Sequence, residues 1–129
     1  MIASGGPPRA AAALMHETGI AAEILNIAKR EAQRSGAAGI AAITVRIGDL
    51  SGVSADALEF AFSALCAGTP ADGARLRIER VPLLARCPSC HRDSAPAADL
   101  ILWCPDCGAP LDVIAGQELL VESLELREA

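Results

Sequence analysis

From Glu17 to Arg34, apolar residues return every three or four positions: Ile20, Ile24, Ile27, Ala28 and Ala32, with Glu23, Asn26, Lys29, Arg30 and Gln33 between them. That period predicts an amphipathic helix. Lys29, Arg30 and Arg34 suit the negative end of its dipole, and Gly36 supplies the stop. Ile43-Thr44-Val45-Arg46-Ile47 alternates with period two, which predicts a half-buried strand closed by Gly48. Ser54 is placed to cap a second helix, with Val53 and Leu58 as a hydrophobic staple. Leu58, Phe62 and Leu65 line the inner face of that helix, Ala61 lies beside them, and Gly68 and Pro70 end it. Leu76 and Ile78 alternate with Arg75, Arg77 and Glu79 in a second strand that Pro82 terminates. A third strand runs from about Glu118 to Arg127. Its inward phase shifts between Leu119-Val121 and Leu124-Leu126, which predicts a bulge at Glu122 or Ser123.

Composition bounds what these elements can build. The chain has 129 residues, 52% of them apolar, but only two Phe and one Trp, so Ala, Leu, Ile and Val must fill the core. Small side chains bury little area each, and such a core leaves room for help from a metal. The formal net charge is −5. An acidic chain is a poor match to a phosphate backbone, so a nucleic-acid partner is not expected. No apolar run is long enough to cross a bilayer, so no membrane partner is expected. The opening Met1-Ile2-Ala3-Ser4-Gly5-Gly6-Pro7-Pro8-Arg9 lacks the apolar stretch of a secretory signal. Residues 1–14 read either as a disordered extension, since Gly5-Gly6-Pro7-Pro8 breaks structure and Ala10 to Ala13 defines no face, or as a misassigned start ahead of Met15.

Five cysteines are present, and four of them fall in two Cys-x-x-Cys pairs: Cys87-Pro88-Ser89-Cys90 and Cys104-Pro105-Asp106-Cys107-Gly108. Two such knuckles bring four thiolates onto one ion tetrahedrally, with Zn–S about 2.3 Å. Pro88 and Pro105 stiffen the turns, and Gly108 can take the positive φ that follows the second. Four protein ligands leave no open position, so the ion is expected to be structural. The adjacent pairing and the missing signal argue for a cytosolic metal binder over a disulfide scaffold. Cys87-Pro88-Ser89-Cys90-His91 also fits a haem-attachment pattern, but a second knuckle and a shortage of aromatic walls argue against haem. Iron is the stronger rival to zinc, because tetrahedral S₄ geometry serves both and Cys104-Pro105-Asp106-Cys107-Gly108 also resembles a rubredoxin knuckle. Rubredoxin-like sites are rich in aromatic residues, however, and only Trp103 is near, so zinc is expected. Cys66 reads as a small buried apolar residue of the second helix. His91 reads either as a solvated neighbour or as a donor to a thiolate.

The fold class expected is therefore α+β: a small three-stranded sheet with two helices, and a Cys₄ zinc-ribbon-like module inserted between the last two strands. Its boundaries fall at 15–82 and 111–129 for the α/β domain and 83–110 for the zinc-binding domain. After Met15, His16 and Glu17 stand just before the first helix. One His beside one Glu is a weak signal by itself, although imidazole is a suitable donor for Ni²⁺.

Met15-His16-Glu17 opening a helix, Gly48-Asp49-Leu50-Ser51-Gly52-Val53 before the second, and Gly68-Thr69 after it form an ordered series. The two cysteine knuckles and Gly116-Gln117-Glu118-Leu119-Leu120-Val121-Glu122-Ser123-Leu124-Glu125 complete it. The series resembles the HypA/HybF family of hydrogenase nickel-incorporation proteins from residue 15 to about 127. The resemblance implies a nickel metallochaperone for maturation of [NiFe]-hydrogenase, with urease maturation served by some relatives. The residues themselves show no nucleophile–base pair or open catalytic metal site, so no enzyme is expected, and the missing signal makes the cytoplasm the expected location. The resemblance implies Ni²⁺ as cargo at Met15, His16 and Glu17 in the α/β domain, and structural Zn²⁺ at Cys87, Cys90, Cys104 and Cys107. It also implies a HypB-type GTPase and the hydrogenase large subunit as partners. In the family the Met-His-Glu segment lies at the very N-terminus, where the terminal amine can join His; fourteen residues precede it in this sequence. The alternative functions are a zinc-ribbon protein-interaction module without nickel delivery and a small iron electron carrier.

Overall fold

The computed structural model describes residues 9–95 and 102–128. In chain order the elements are α1 (Arg9–Ser35), β1 (Gly39–Gly48), α2 (Ala55–Cys66), β2 (Arg75–Val81), β3 (Leu84–Arg86), β4 (Asp93–Ser94), β5 (Asp112–Ala115) and β6 (Leu119–Arg127). The chain divides into two compact units. One takes the described residues of Met1–Val45, Val53–Ile78 and Val121–Ala129, and the other takes Arg46–Gly52 and Glu79–Leu120.

In the first unit α1 packs on α2. α1 starts well before Glu17, where the apolar period begins. The Ala run needs no amphipathic face to be helical, because Ala has the highest intrinsic helix propensity. Of the expected extension, residues 1–8 lie outside the described residues. The inner face of α1 is Glu17, Ala21, Ile24, Leu25, Ala28 and Ala32, all buried, while Ile20 and Ile27 are only half-buried. The face is thus rotated from the one the isoleucines mark. The helix closes as expected at Gly36, with the Ala37 N–H donating to the Ala32 carbonyl at 2.9 Å.

Ser54 caps α2: its side-chain oxygen accepts from the Ala57 N–H at 3.3 Å. Val53 and Leu58 are both buried, as a staple requires. The buried positions of α2 are Leu58, Ala61, Phe62 and Cys66, with Leu65 half-buried. Cys66 therefore takes the inner position expected of Leu65. Burial, helped by the charge of Asp72, pushes its thiol up to about 11, in keeping with an inert core residue.

The main sheet has the order β2-β1-β6. The Ile40 N–H donates to Pro70 and the Asp49 N–H to Val81, so β1 and β2 run in the same sense with α2 as the crossover. The Ala38 N–H donates to Arg127 and the Gly48 N–H to Glu118, so β6 runs the other way. The strand expected to be half-buried is buried on both faces: Ile40 and Ala42 alternate in parity with Ile43, Val45 and Ile47, and all five are buried. A central strand preceded by the apolar run Gly39-Ile40-Ala41-Ala42 has this character. In β6 the half-buried residues are Val121, Leu124 and Leu126. Alternation slips by one position at Glu122–Ser123, where the sequence places the shift.

The second unit carries a further three-stranded sheet of order β4-β3-β5, antiparallel throughout. Arg86 pairs with Asp93 on one side and Asp112 on the other, and an isolated bridge joins Trp103 to Pro110. Strands of two to four residues carry no readable period, so this sheet is invisible to patterning.

Candidate metal centre

The two knuckles are built alike. In the first, the Cys87 N–H donates to the Arg92 carbonyl at 3.0 Å and the His91 N–H to the Cys87 carbonyl at 2.8 Å. In the second, the Cys104 N–H donates to Ala109 and the Gly108 N–H to Cys104, both at 2.8 Å. Each loop thus closes on itself with both sulfurs on its inner side. Both turns end in a left-handed residue: Gly108 at φ 73 and His91 at φ 60. His91 is the one non-glycine residue with positive φ among the described residues. That conformation strains a side chain bearing Cβ by about 1–2 kcal/mol. His91→Gly is expected to raise the stability of the zinc-loaded protein by about 0.5–1 kcal/mol, after allowance for the greater freedom of Gly in the unfolded chain. Thermal unfolding of the two proteins side by side checks this.

The four sulfurs lie within 4.8 Å of one another. Cys87 Sγ is 3.5 Å from Cys107 Sγ, and Cys104 Sγ is 4.0 Å from Cys90 Sγ. Bonds of about 2.3 Å to a tetrahedral ion set its ligands about 3.8 Å apart, so the cluster has the right size for zinc or for iron. Backbone donors complete the fit. The Cys90 N–H donates to Cys87 Sγ at 3.3 Å. N–H groups of Asp106 and Cys107 hold the Cys104 thiol down to about 7. Its hydrogen bond with Cys107, then burial, pushes Cys90 up to about 12. Cys104 is therefore readier for a cation than Cys90, which surrenders its proton when the ion arrives.

An ion pair that motif reading missed ties the knuckles together: Arg92 Nη2 lies 2.6 Å from Asp106 Oδ2. The signal available was a basic residue just after one knuckle and an acidic one inside the other. Arg86 makes a second, bidentate pair with Asp93 between β3 and β4.

Met15, His16 and Glu17 lie inside α1 rather than ahead of it. His16 is exposed. Glu17 is 1% exposed, and it is the one charged residue in the core among the described residues. Its Oε2 accepts from the Ser54 N–H at 3.3 Å, and its Oε1 has no hydrogen-bond partner among the described residues. The two neighbours thus face opposite environments, His16 water and Glu17 the contact with α2.

Residues 15–126 match the family described as hydrogenase/urease nickel incorporation, metallochaperone, hypA. The chain belongs to the HypA family. Relatives named hydrogenase maturation factor HypA include one from Chloroflexus aggregans, 43% identical over 112 residues that span 86% of this chain and 98% of that one. Another, from Geotalea uraniireducens, is 43% identical over 113 residues, 87% of this chain and 99% of that one. The fold agrees with solved HypA structures. The solution structure of a HypA protein superposes with a TM-score of 0.66 at 23% identity, covering 87% of this chain and 96% of that one. That of the Ni metallochaperone HypA from Helicobacter pylori gives 0.62 at 21%, covering 88% and 98%. The α+β fold with four clustered cysteines is thus a HypA fold, and this HypA chain is a nickel-incorporation protein by family. No helix among its described residues is long and apolar enough to cross a membrane.

Proposed function

We propose that this HypA chain carries Ni²⁺ on the Met15-His16-Glu17 segment, with the His16 imidazole as its side-chain donor. Structural Zn²⁺ is held by Cys87, Cys90, Cys104 and Cys107. The nickel goes to the large subunit of a [NiFe]-hydrogenase in the cytoplasm, in concert with a HypB-type GTPase. The observation that carries the reading is the family match, which begins at Met15, the residue before an exposed histidine. Imidazole suits Ni²⁺, and a carrier needs an accessible site with few ligands, because the cargo must leave as readily as it arrives. The four thiolates suit zinc for the opposite reason: they close the coordination sphere and leave no place for a substrate.

Within α1 the amide groups of His16 and Glu17 belong to the helix ladder and are not available to a metal. In a chain beginning at Met15 they would be first-turn amides without helical partners, next to a free amine. Calorimetric titration of the zinc-loaded protein with Ni²⁺ tests the proposal. One site is expected, abolished by His16→Ala, and tighter in the chain starting at Met15 than in the 129-residue chain. No nickel binding in either length would overturn the reading and leave a zinc-organised interaction module.

A further inference from the structure

Glu17 presents a problem that core packing does not solve. A carboxylate excluded from water with one oxygen unmatched is less stable than an apolar side chain of similar size. Its 1% exposure and orphaned Oε1 therefore call for a role at that place. Consecutive helical residues point about 100° apart, and here the first faces solvent while the second faces α2. Nickel arriving from solvent meets the imidazole of His16; the Glu17 carboxylate is turned inward and already engaged.

What engages it is the start of α2. The first N–H groups of a helix lack helical partners and carry a partial positive charge. At α2 two oxygens answer them. The Ser54 hydroxyl accepts from the Ala57 N–H at 3.3 Å, and Glu17 Oε2 accepts from the N–H of Ser54 itself at 3.3 Å. The second half resembles a capping box whose glutamate comes from another helix, 37 residues away.

We infer that Glu17 is a positioning residue for nickel and not a ligand: its carboxylate tethers the turn of α1 that carries His16 to the N-cap of α2. The inference rests on His16 being the nickel donor. It assigns the two members of the segment separate tasks, one holding the metal and the other holding the backbone from which the metal hangs.

The test uses the zinc-loaded 129-residue chain, its Glu17→Gln and Glu17→Ala variants, and Ni²⁺ itself. Binding is read by calorimetry, the ligand set by the nickel absorption spectrum, and the tether by amide exchange at Ser54. Gln keeps an oxygen for the Ser54 N–H, so Glu17→Gln should bind within about twofold of wild type with an unchanged spectrum. Glu17→Ala should lose about tenfold in affinity, again with the wild-type spectrum, and Ser54 should exchange faster. If Glu17→Gln changes the spectrum and loses about 100-fold, the carboxylate is a ligand and the inference is wrong. Nickel binding that Glu17→Ala leaves intact also overturns it, while His16 stands. Absence of nickel binding by the wild-type 129-residue chain overturns this inference; absence in the chain starting at Met15 as well overturns the reading of His16.

Discussion

Stripping zinc from the chain with a strong chelator is expected to unfold the cysteine sheet, and Cys87→Ser or Cys104→Ser is expected to have the same effect. The reason lies in the size of what surrounds the metal. β3, β4 and β5 have three, two and four residues. Among the described residues the buried apolar set of this region is Val81, Leu83 and Ala85, together with Cys87 and Cys104 of the cysteine cluster. An assembly this small does not bury enough area to offset its chain entropy without a staple. Zinc bound by four thiolates supplies roughly 10–16 kcal/mol of apparent binding energy near neutral pH, all of it available to folding. The loss should appear as collapse of amide protection between Leu84 and Arg92 and between Cys104 and Ala115, while α1 and α2 keep theirs. A chelated protein with unchanged protection in these strands would show that the sheet stands without metal. The sign of the pH effect follows from the thiols. Protons compete with zinc for the sulfurs, so zinc affinity should fall as pH drops, and more steeply below about 7, where Cys104 also takes up its proton.

Gly116→Ala and Gly48→Ala should be the most damaging methyls added at any described glycine. Gly116 has φ +112, where a side chain is strained, and a Cβ there would lie 2.8 Å from Leu83 Cα and 3.2 Å from Leu83 N. Both neighbours are backbone and have no rotamer by which to yield. A Cβ on Gly48 would run into the carbonyl group of Gly116 itself. The two glycines are thus the crossing point of two strands of backbone, held by the Leu50 N–H donating to the Gly116 carbonyl at 2.7 Å. Either substitution is expected to cost about 3 kcal/mol or more, from backbone strain and displacement together. Gly73→Ala is the control: φ is +77 there, but the methyl meets nothing within 4 Å, so only the left-handed penalty of about 1–2 kcal/mol remains. Denaturant unfolding of the three zinc-loaded variants separates these cases. Equal losses at Gly116 and Gly73 would mean that the crossing adjusts freely.

The sequence made some of this legible and hid the rest for identifiable reasons. α2 was readable because Ser54, Val53 and Leu58 form a local cap and staple, which need no tertiary partner to be recognised. The cysteine centre was readable because Cys-x-x-Cys spacing is itself geometric. The inner face of α1 was not. Apolar residues at 20, 21, 22, 24, 25, 27 and 28 cover so wide an arc that several phases fit, and the one adopted buries small Ala21 and Ala28 and turns Glu17 inward. Nothing local says that a glutamate is a core residue when its partner is the N–H of Ser54, far along the chain. Cys66 and Leu65 exchanged places for a related reason: adjacent apolar residues leave the helix phase open by 100°. The short strands β3 to β5 lack the length to show a period.

Two of the four sulfurs, Cys87 and Cys104, are buried as deeply as the aliphatic side chains of the core. A zinc ion held there would in effect be an interior residue supplied after synthesis. A copy of the chain made while zinc is scarce would leave that interior open, and open backbone is what proteases cleave. The lifetime of this carrier would then depend on the supply of a different metal from the one it delivers.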